Sequence, residues 1–321
     1  MINLGRIVSP LSPTSKSNGV SLPLLWVSDG NYLSAYQLSD NGDVAPSAII
    51  QGSNTGFQNG LTQQIASGPR GETYVVQPAY DQSTQQTVWQ ILRFRPHASG
   101  NVSPDLILNC GQQIIASNAI AVGSFGQIAF SNLTIAPPPP YWVSIALLPG
   151  NSTSCPSDHK QIYGSNTGLD QVQGLAIDGR GTHFVLKQTA IEIFKPGALG
   201  NVAPARTISG SHTHLSLATG IAVDSAGYIY VASDLDSNSI SVFRPNANGD
   251  ATPVRRIIGS NTQLYNPIGI AVSLDGRIFV LNNATMAITV YAPGATGNVA
   301  PVQVISGSAT GINGAYITIA N

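Results

Sequence analysis

The sequence predicts an all-β fold, a six-bladed β-propeller built from four-stranded antiparallel blades, and three observations lead to that prediction. Residues 220–264 hold four short β-type runs separated by Gly, Asp, Asn and Pro clusters, which is typical of strands joined by turns. Residues 269–312 repeat the same pattern. The turn before each fourth strand recurs six times as GDVAP, GNVSP, GNSTSCP, GNVAP, GDATP and GNVAP, beginning at Gly42, Gly100, Gly150, Gly200, Gly249 and Gly297. Repeats of about 50 residues that each form one small sheet pack as blades around a central axis.

The two ends of the chain predict how the ring closes. Residues 24–28, 33–38 and 46–51 match second, third and fourth strands, but no first strand precedes them. The missing strand is found at residues 316–320, so we expect Tyr316–Ala320 to be the inner strand of that blade. Pairing the two ends in one sheet removes an unpaired edge. Residues 1–22 are predicted to be a tail or leader outside the repeat, and residues 23–321 to be the propeller.

The chain contains few charged residues, and their charges nearly cancel. Charged residues make up 9% of the chain and the formal net charge is −1, whereas about 25% is usual. A balanced charge provides no overall field to attract nucleic acid or an anionic membrane. A surface dominated by uncharged polar residues is commoner in exported proteins, so an extracellular or cell-surface location is expected. The sequence shows neither a signal peptide nor an apolar run long enough to span a membrane.

The two cysteines are predicted to be structural thiols. Cys110 lies at the end of a fourth strand, and Cys155 lies in an insertion before the fourth strand of the next blade. Because these are opposite ends of strands in different blades, and a disulfide needs Cα atoms within about 7 Å, a bond is not expected.

Two blades carry long insertions between their second and third strands. The second blade has QPAYDQSTQQTVW at residues 77–89 and the third has SNLTIAPPPPYW at residues 131–142, whereas the other four connections are short. Both insertions are expected on one face, where Tyr80, Trp89, Tyr141 and Trp142 would form a binding surface. Alternatively, the insertions cover the channel mouth or pack on each other.

The repeat resembles that of a known family. GIAVDSAGYIYVAS and GSNTQLYNPIGIAV resemble the NHL-repeat propellers, especially bacterial extracellular members with GNVAP…ISGSNTGL linkers, over about residues 24–321. The resemblance implies the fold but not one activity, because such propellers include binding modules, scaffolds and enzymes.

Gluconolactonase-like and amidating-lyase-like relatives hold a metal at the entrance of the inner strands. The resemblance implies that the corresponding positions in this sequence are Gln63, Asn118, Gln173, Thr219, Ile268 and Tyr316. This ring has no carboxylate or imidazole and is a poor metal cage. It could form hydrogen bonds with a neutral polar ligand, or it could line a water-filled channel.

Two weaker metal candidates remain. His212 and His214 would lie on one side of an extended loop, but a third ligand is not evident, so loop polarity is favoured. Asp234, Asp236 and Asn238 resemble the start of a calcium loop. That loop lacks the glycine and glutamate it needs, because its sixth and twelfth positions are Ser239 and Pro245.

No nucleophile elbow and no phosphate-binding glycine loop occurs in the sequence. We therefore expect a non-catalytic extracellular or surface propeller without a cofactor, which binds a neutral glycan, peptide or protein on its loop-rich face. One alternative is a lactonase-like hydrolase or lyase that uses the axial pocket. The other is a self-assembling structural protein, because little charge repulsion opposes association.

Overall fold

The structure is a computed structural model that describes residues 23–57, 64–82, 85–110, 119–134, 142–153, 155, 160–234, 238–314 and 316–320. The predicted tail at residues 1–22 lies outside the described residues. No helix in the described ranges is long and apolar enough to cross a membrane.

The predicted fold class is confirmed: six four-stranded antiparallel sheets form a six-bladed propeller. Blade 1 contains β1 (Leu24–Ser28), β2 (Leu33–Gln37), β3 (Ala48–Ile50) and, as its inner strand, β24 (Tyr316–Ala320). Blade 2 contains β4 (Gln64–Ser67), β5 (Thr73–Asp81), β6 (Gln86–Phe94) and β7 (Leu106–Asn109). Blade 3 contains β8 (Ile120–Val122), β9 (Ile128–Thr134), β10 (Trp142–Leu148) and β11 (Lys160–Tyr163).

The remaining blades follow the same order from the axis outward. Blade 4 contains β12 (Gly174–Ile177), β13 (His183–Leu186), β14 (Ala190–Phe194) and β15 (Arg206–Ser209). Blade 5 contains β16 (Ala218–Val223), β17 (Ile229–Ser233), β18 (Ser239–Phe243) and β19 (Arg255–Ile257). Blade 6 contains β20 (Pro267–Val272), β21 (Ile278–Asn282), β22 (Ala287–Tyr291) and β23 (Gln303–Ile305).

The hydrophobic core lies between the blades. Six buried clusters each combine side chains of two neighbouring blades. Strands such as β17 and β21 are buried along their whole length because both faces pack on a neighbouring blade. The inner strands contact one another in turn around the ring, from β4 through β8, β12, β16 and β20 to β24 and back to β4. They therefore enclose a channel along the axis.

The two ends of the chain close the ring as predicted. β24 pairs antiparallel with β1, from Leu24 opposite Ala320 to Ser28 opposite Tyr316. The backbone N–H of Asn313 donates to Asp29 Oδ1 at 2.9 Å, and Tyr36 Oη donates to the carbonyl of Thr310.

A repeated clamp joins five of the blade junctions. After the fourth strand of blade 1, Gly52 packs on the side chain of Asn101 from blade 2, and Asn101 Oδ1 accepts the backbone N–H of Asn54 at 2.7 Å. A side chain on this glycine would collide with the asparagine, since an added Cβ would lie 2.6 Å from Asn101 Cγ. The same contact is made at the other four junctions by Asn201 with Asn166, Asp250 with His212, Asn298 with Asn261 and Asp43 with Ala309. The recurring G-[ND] and G-S sequences are thus the two halves of one inter-blade contact.

The prediction of two free thiols is wrong. Cys110 and Cys155 form a disulfide with their Cα atoms 4.8 Å apart. The connection before each fourth strand reaches back along the outer strand of the preceding blade, as the bridge between Gly100 and Ile50 shows, so the two strand ends meet. Cys110 lies two residues after the buried Leu108, the position that Gly52 holds after Ile50, so the disulfide stands where the other junctions have the clamp.

The insertions in blades 2 and 3 were expected to be loops, but the blade 2 insertion largely extends its two strands, and the described ends of the blade 3 insertion also belong to strands. β5 and β6 pair from Thr73–Phe94 to Asp81–Gln86, and β9 and β10 pair up to Thr134–Trp142. The alternation of Gln, Thr and apolar residues in QTVWQILRF satisfies a strand pattern, which the turn-like DQSTQ directly before it obscured.

Candidate ligand site in the axial channel

The channel contains a cavity of about 250 Å³ lined by all six inner strands. Four of these strands, β8, β12, β16 and β20, contribute mainly Ala, Val, Leu and Ile to its wall. Their related sequences, A-I-A-V at β8, G-L-A-I at β12 and G-I-A-V at β16 and β20, supply small and branched side chains that pack tightly against the neighbouring inner strand. An ideal Cβ on Gly174, for example, would lie 3.0 Å from Ile221 Cγ2 of the next blade.

The other two inner strands, β4 and β24, carry a polar stripe. It consists of Gln64, Ser67, Tyr316 and Thr318, all of which line the cavity. Thr318 Oγ1 donates to Ser67 Oγ at 3.0 Å, which links the two strands at one level. Burial raises the pKa of Tyr316, although its hydrogen bond with the side chain of Gln64 acts in the opposite direction. The phenol is therefore a neutral hydrogen-bonding group at ordinary pH.

The structure brings four members of the predicted ring together around the channel: Gln173, Thr219, Ile268 and Tyr316. They are not equivalent. Thr219 Oγ1 lies 2.6 Å from the carbonyl oxygen of Pro267 and 3.2 Å from that of Ala232, so its single hydroxyl proton is used within the protein. The side chain of Gln173 is half-buried at the wall.

The other two ring positions, Gln63 and Asn118, lie outside the described residues. Sequence reasoning missed Gln64, Ser67 and Thr318. The signal that could have found them is a break in the repeat, since Gln64 stands where blades 4 to 6 have Gly174, Gly220 and Gly269.

The predicted aromatic surface does not line this channel in the described residues. Tyr80 lies near the end of β5 and is 54% exposed, whereas Trp89 on β6 is half-buried and packs against the cluster between blades 2 and 3. Tyr141 lies outside the described residues, as does the side chain of Trp142, which begins β10. Tyr80 and Trp89 are on the same face of the extended hairpin of blade 2, so they belong to a surface that is separate from the channel lining.

The two metal candidates have structural partners. His212 and His214 belong to a 3-10 turn with left-handed backbone at His214, not to an extended loop, and His212 Nδ1 lies 2.6 Å from Asp250 Oδ2 in the clamp. Asn238 Oδ1 accepts the backbone N–H of Asn266 at 2.8 Å. Asp234 is half-buried and its backbone N–H donates to the carbonyl of Leu217, and Asp236 lies outside the described residues. In the described part of the chain, no group of three or more His, Cys, Asp or Glu residues could hold a metal ion.

Comparisons with known proteins identify the fold but no family. No family model and no curated protein matches the chain. Among solved structures, it is similar to a protein of unknown function from Bacteroides caccae, with a TM-score of 0.62 and 10% identity over 94% of this chain and 100% of that one. It is also similar to a putative 6-phosphogluconolactonase from Bacteroides fragilis, with a TM-score of 0.58 and 10% identity over 97% and 100% of the two chains. A periplasmic gluconolactonase from Pseudomonas aeruginosa matches with a TM-score of 0.54 and 13% identity over 94% and 99%. At these identities the likeness establishes the propeller fold alone, and the NHL-repeat family is not shown.

Proposed function

We propose that this protein is an extracellular or surface-attached binding propeller that takes a neutral ligand rich in hydroxyl or amide groups into its axial channel. The observation that carries the proposal is the one-sided lining of the channel. Gln64, Ser67, Tyr316 and Thr318 offer hydrogen bonds from β4 and β24, while the opposite wall is mostly aliphatic and has the half-buried Gln173 at its edge. A sugar ring has the same division, with hydroxyls along its edge and C–H groups on its faces.

The size of the cavity limits what can enter. Ligand pockets of about 300–1,000 Å³ enclose drug-sized molecules, and this one is close to 250 Å³. We therefore expect one sugar ring or one terminal peptide residue to enter. The rest of a glycan or peptide would lie on the loop-rich face, defined here as the end of the ring that carries Tyr80 and the connections into the inner strands.

A lactonase-like hydrolase is the second candidate. It is favoured by the likeness to the two solved propellers whose names carry that activity, although this likeness concerns the fold. In such an enzyme, Tyr316 is the titratable residue on the described part of the channel wall. Its neutral phenol could donate a proton or a hydrogen bond. Tyr316 would then be needed for turnover as well as for binding.

A glycan and peptide array separates these readings. We expect the protein to bind neutral glycans or peptides, and Tyr316→Phe and Thr318→Val, which remove one hydroxyl each, to weaken binding about three- to tenfold. Tyr163→Phe is the matched control because Tyr163 is 49% exposed on the outer strand β11. Unchanged binding by both channel variants would overturn the proposal. Hydrolysis of a sugar lactone that Tyr316→Phe abolishes would support the enzyme instead.

A self-assembling structural role gives a different result. Light scattering would then show a molar mass above that of one chain, which rises with protein concentration, and the array would show no ligand that depends on Tyr316.

A further inference from the structure

Five nearly identical turns form the end of the ring opposite the loop-rich face. They connect the inner to the second strand in blades 2 to 6 at residues 68–71, 123–126, 178–181, 224–227 and 273–276. In each turn the N–H of the last residue, a glycine with positive φ, donates to the carbonyl of the first. The five tips therefore end at the same level around the channel exit. We call this end the hairpin-tip face.

Three consecutive blades place an unusual set of side chains at one turn position. Arg70, Phe125 and Arg180 are each the third residue of their turn, in blades 2, 3 and 4. Phe125 is 78% exposed, and its backbone is fixed because its N–H donates to Gln127 Oε1 at 3.0 Å. Across the axis in blade 6, Leu274 is 76% exposed at the second position of its turn. Phe125 and Leu274 therefore hold apolar side chains out into solvent on opposite sides of the channel exit.

Cations are concentrated on the same face. Beyond Arg70 and Arg180, the residue after the third strand is exposed and basic in three blades: Arg95, Lys195 and Arg244. Within the ranges that the structure describes, Arg70, Arg180, Lys195 and Arg244 have no ion pair.

The carboxylates of the hairpin-tip face are engaged locally. Asp178 and Asp224 accept backbone N–H groups within their own turns, and Glu72 accepts the N–H of Arg70. Asp105 is paired with Arg93 at 2.9 Å and Asp275 with Arg277 at 2.8 Å. The loop-rich face carries Asp29, Asp170 and Asp234 and one described lysine, Lys187, which pairs with Asp170 at 3.4 Å. The net charge of −1 therefore conceals a separation of charge between the two faces.

We propose that the hairpin-tip face docks on an anionic lipid bilayer, with Phe125 and Leu274 inserted at the interface and the surrounding cations over the head groups. Exposed apolar side chains and basic residues together are the combination that binds membrane interfaces. The level arrangement of tips on opposite sides of the axis favours a flat, extended partner over a peptide, which would need a groove. Docking in this way would leave the loop-rich face and its channel mouth pointing away from the membrane.

Vesicle flotation tests the proposal with the whole chain. We expect binding to phosphatidylcholine vesicles that contain phosphatidylglycerol, little binding to phosphatidylcholine alone, and weaker binding at high salt. Arg70→Gln and Arg180→Gln should each weaken binding about fivefold, and Phe125→Ser about tenfold. Tyr265→Ser is the matched control, because Tyr265 is 50% exposed on the loop-rich face, and it should bind as the unchanged protein does. Thermal unfolding checks that all variants are folded.

Two results would overturn the proposal. One is equal binding to vesicles with and without phosphatidylglycerol. The same conclusion follows if the protein binds no vesicle, even when it binds a soluble acidic polymer such as polyglutamate. The other is binding that Phe125→Ser and Arg180→Gln leave unchanged, or that Tyr265→Ser lowers as much as they do.

Discussion

Two blade junctions hold the ring together in opposite ways. At the junction between blades 6 and 1, beside the sheet in which the two chain ends pair, hydrogen bonds supplement the chain that runs from β23 to β24. Asp43 accepts the N–H of Ala309, Asp29 accepts that of Asn313, and Tyr36 Oη donates to the carbonyl of Thr310. At the junction between blades 2 and 3, a disulfide replaces the clamp of the other junctions.

These two junctions show where the repeat tolerates a change of sequence. The third blade reads GNSTSCP where the other blades read G-[ND]-[VA]-x-P, and its cysteine bonds to the second blade where those blades use an Asn or Asp side chain. A covalent bond compensates there. The closing junction keeps the clamp and adds a buried carboxylate, Asp29, which is 8% exposed.

Among changes at the blade junctions, removal of the disulfide is expected to lower the free energy of unfolding the most. Cys110→Ser combined with Cys155→Ser opens a link between residues 45 positions apart, and loop-closure entropy then predicts a loss of about 4 kcal/mol in the free energy of unfolding. Urea unfolding under non-reducing conditions measures it. As a reference, Asn298→Ala in an ordinary junction should cost about 1 kcal/mol because it removes one hydrogen bond to the N–H of Asn261. A double variant that loses no more than Asn298→Ala would contradict the compensating role.

The closing junction should depend on pH through Asp29. Burial raises the pKa of Asp29 from 3.8 to about 6, against the hydrogen bonds from Asn313 and Ser34. Because the folded state binds this proton more tightly than the unfolded state, the free energy of unfolding should increase as pH falls from above 6 to below 4, by up to about 3 kcal/mol.

Asp29→Asn isolates this effect, since the amide oxygen can accept the N–H of Asn313, the amide N–H can donate to Ser34 Oγ, and the group cannot titrate. The stability difference between the two proteins, measured by urea unfolding across this pH range, should favour the variant at neutral pH and shrink as the pH is lowered. A difference that does not change with pH would show that Asp29 is not the titrating group.

The clamp itself can be tested with two glycines of the same junction. Gly259 has φ 127°, and an added Cβ would lie 2.5 Å from Asn298 Cγ, whereas Gly297 has φ 76° and nothing within 4 Å of an added Cβ. Both alanine variants incur left-handed backbone strain of about 1 kcal/mol. Gly259→Ala should cost about 2 kcal/mol more, because its backbone region is nearly restricted to glycine and the clamp must move. Equal losses in urea unfolding would show that the packing on Asn298 is unimportant.

The sequence predicts the architecture well because each blade repeats the same turn residues and buried strands. It also predicts the pairing of β24 with β1, because the first repeat lacks an inner strand. It fails where a local pattern depends on distant parts of the chain. The disulfide was missed because the course of the connection along the preceding blade is a tertiary feature. Gln64 was missed because the inner-strand alignment directed attention to Gln63.

The separation of charge between the two faces was hidden for a related reason. Arg70 and Arg180 are 110 residues apart in the chain and only the ring brings them to the same turn position. Overall composition averages over both faces, so a net charge near zero gave no indication of a cationic end. Neither the ligand nor the partner surface could be predicted from composition alone.

The bond between Cys110 and Cys155 encloses β8, β9 and β10, which is nearly all of the third blade. A protease that cuts once within this segment would therefore leave a single covalent molecule. The two fragments would separate on a denaturing gel only after a thiol reductant is added, and in an oxidising environment a nicked ring would remain in one piece.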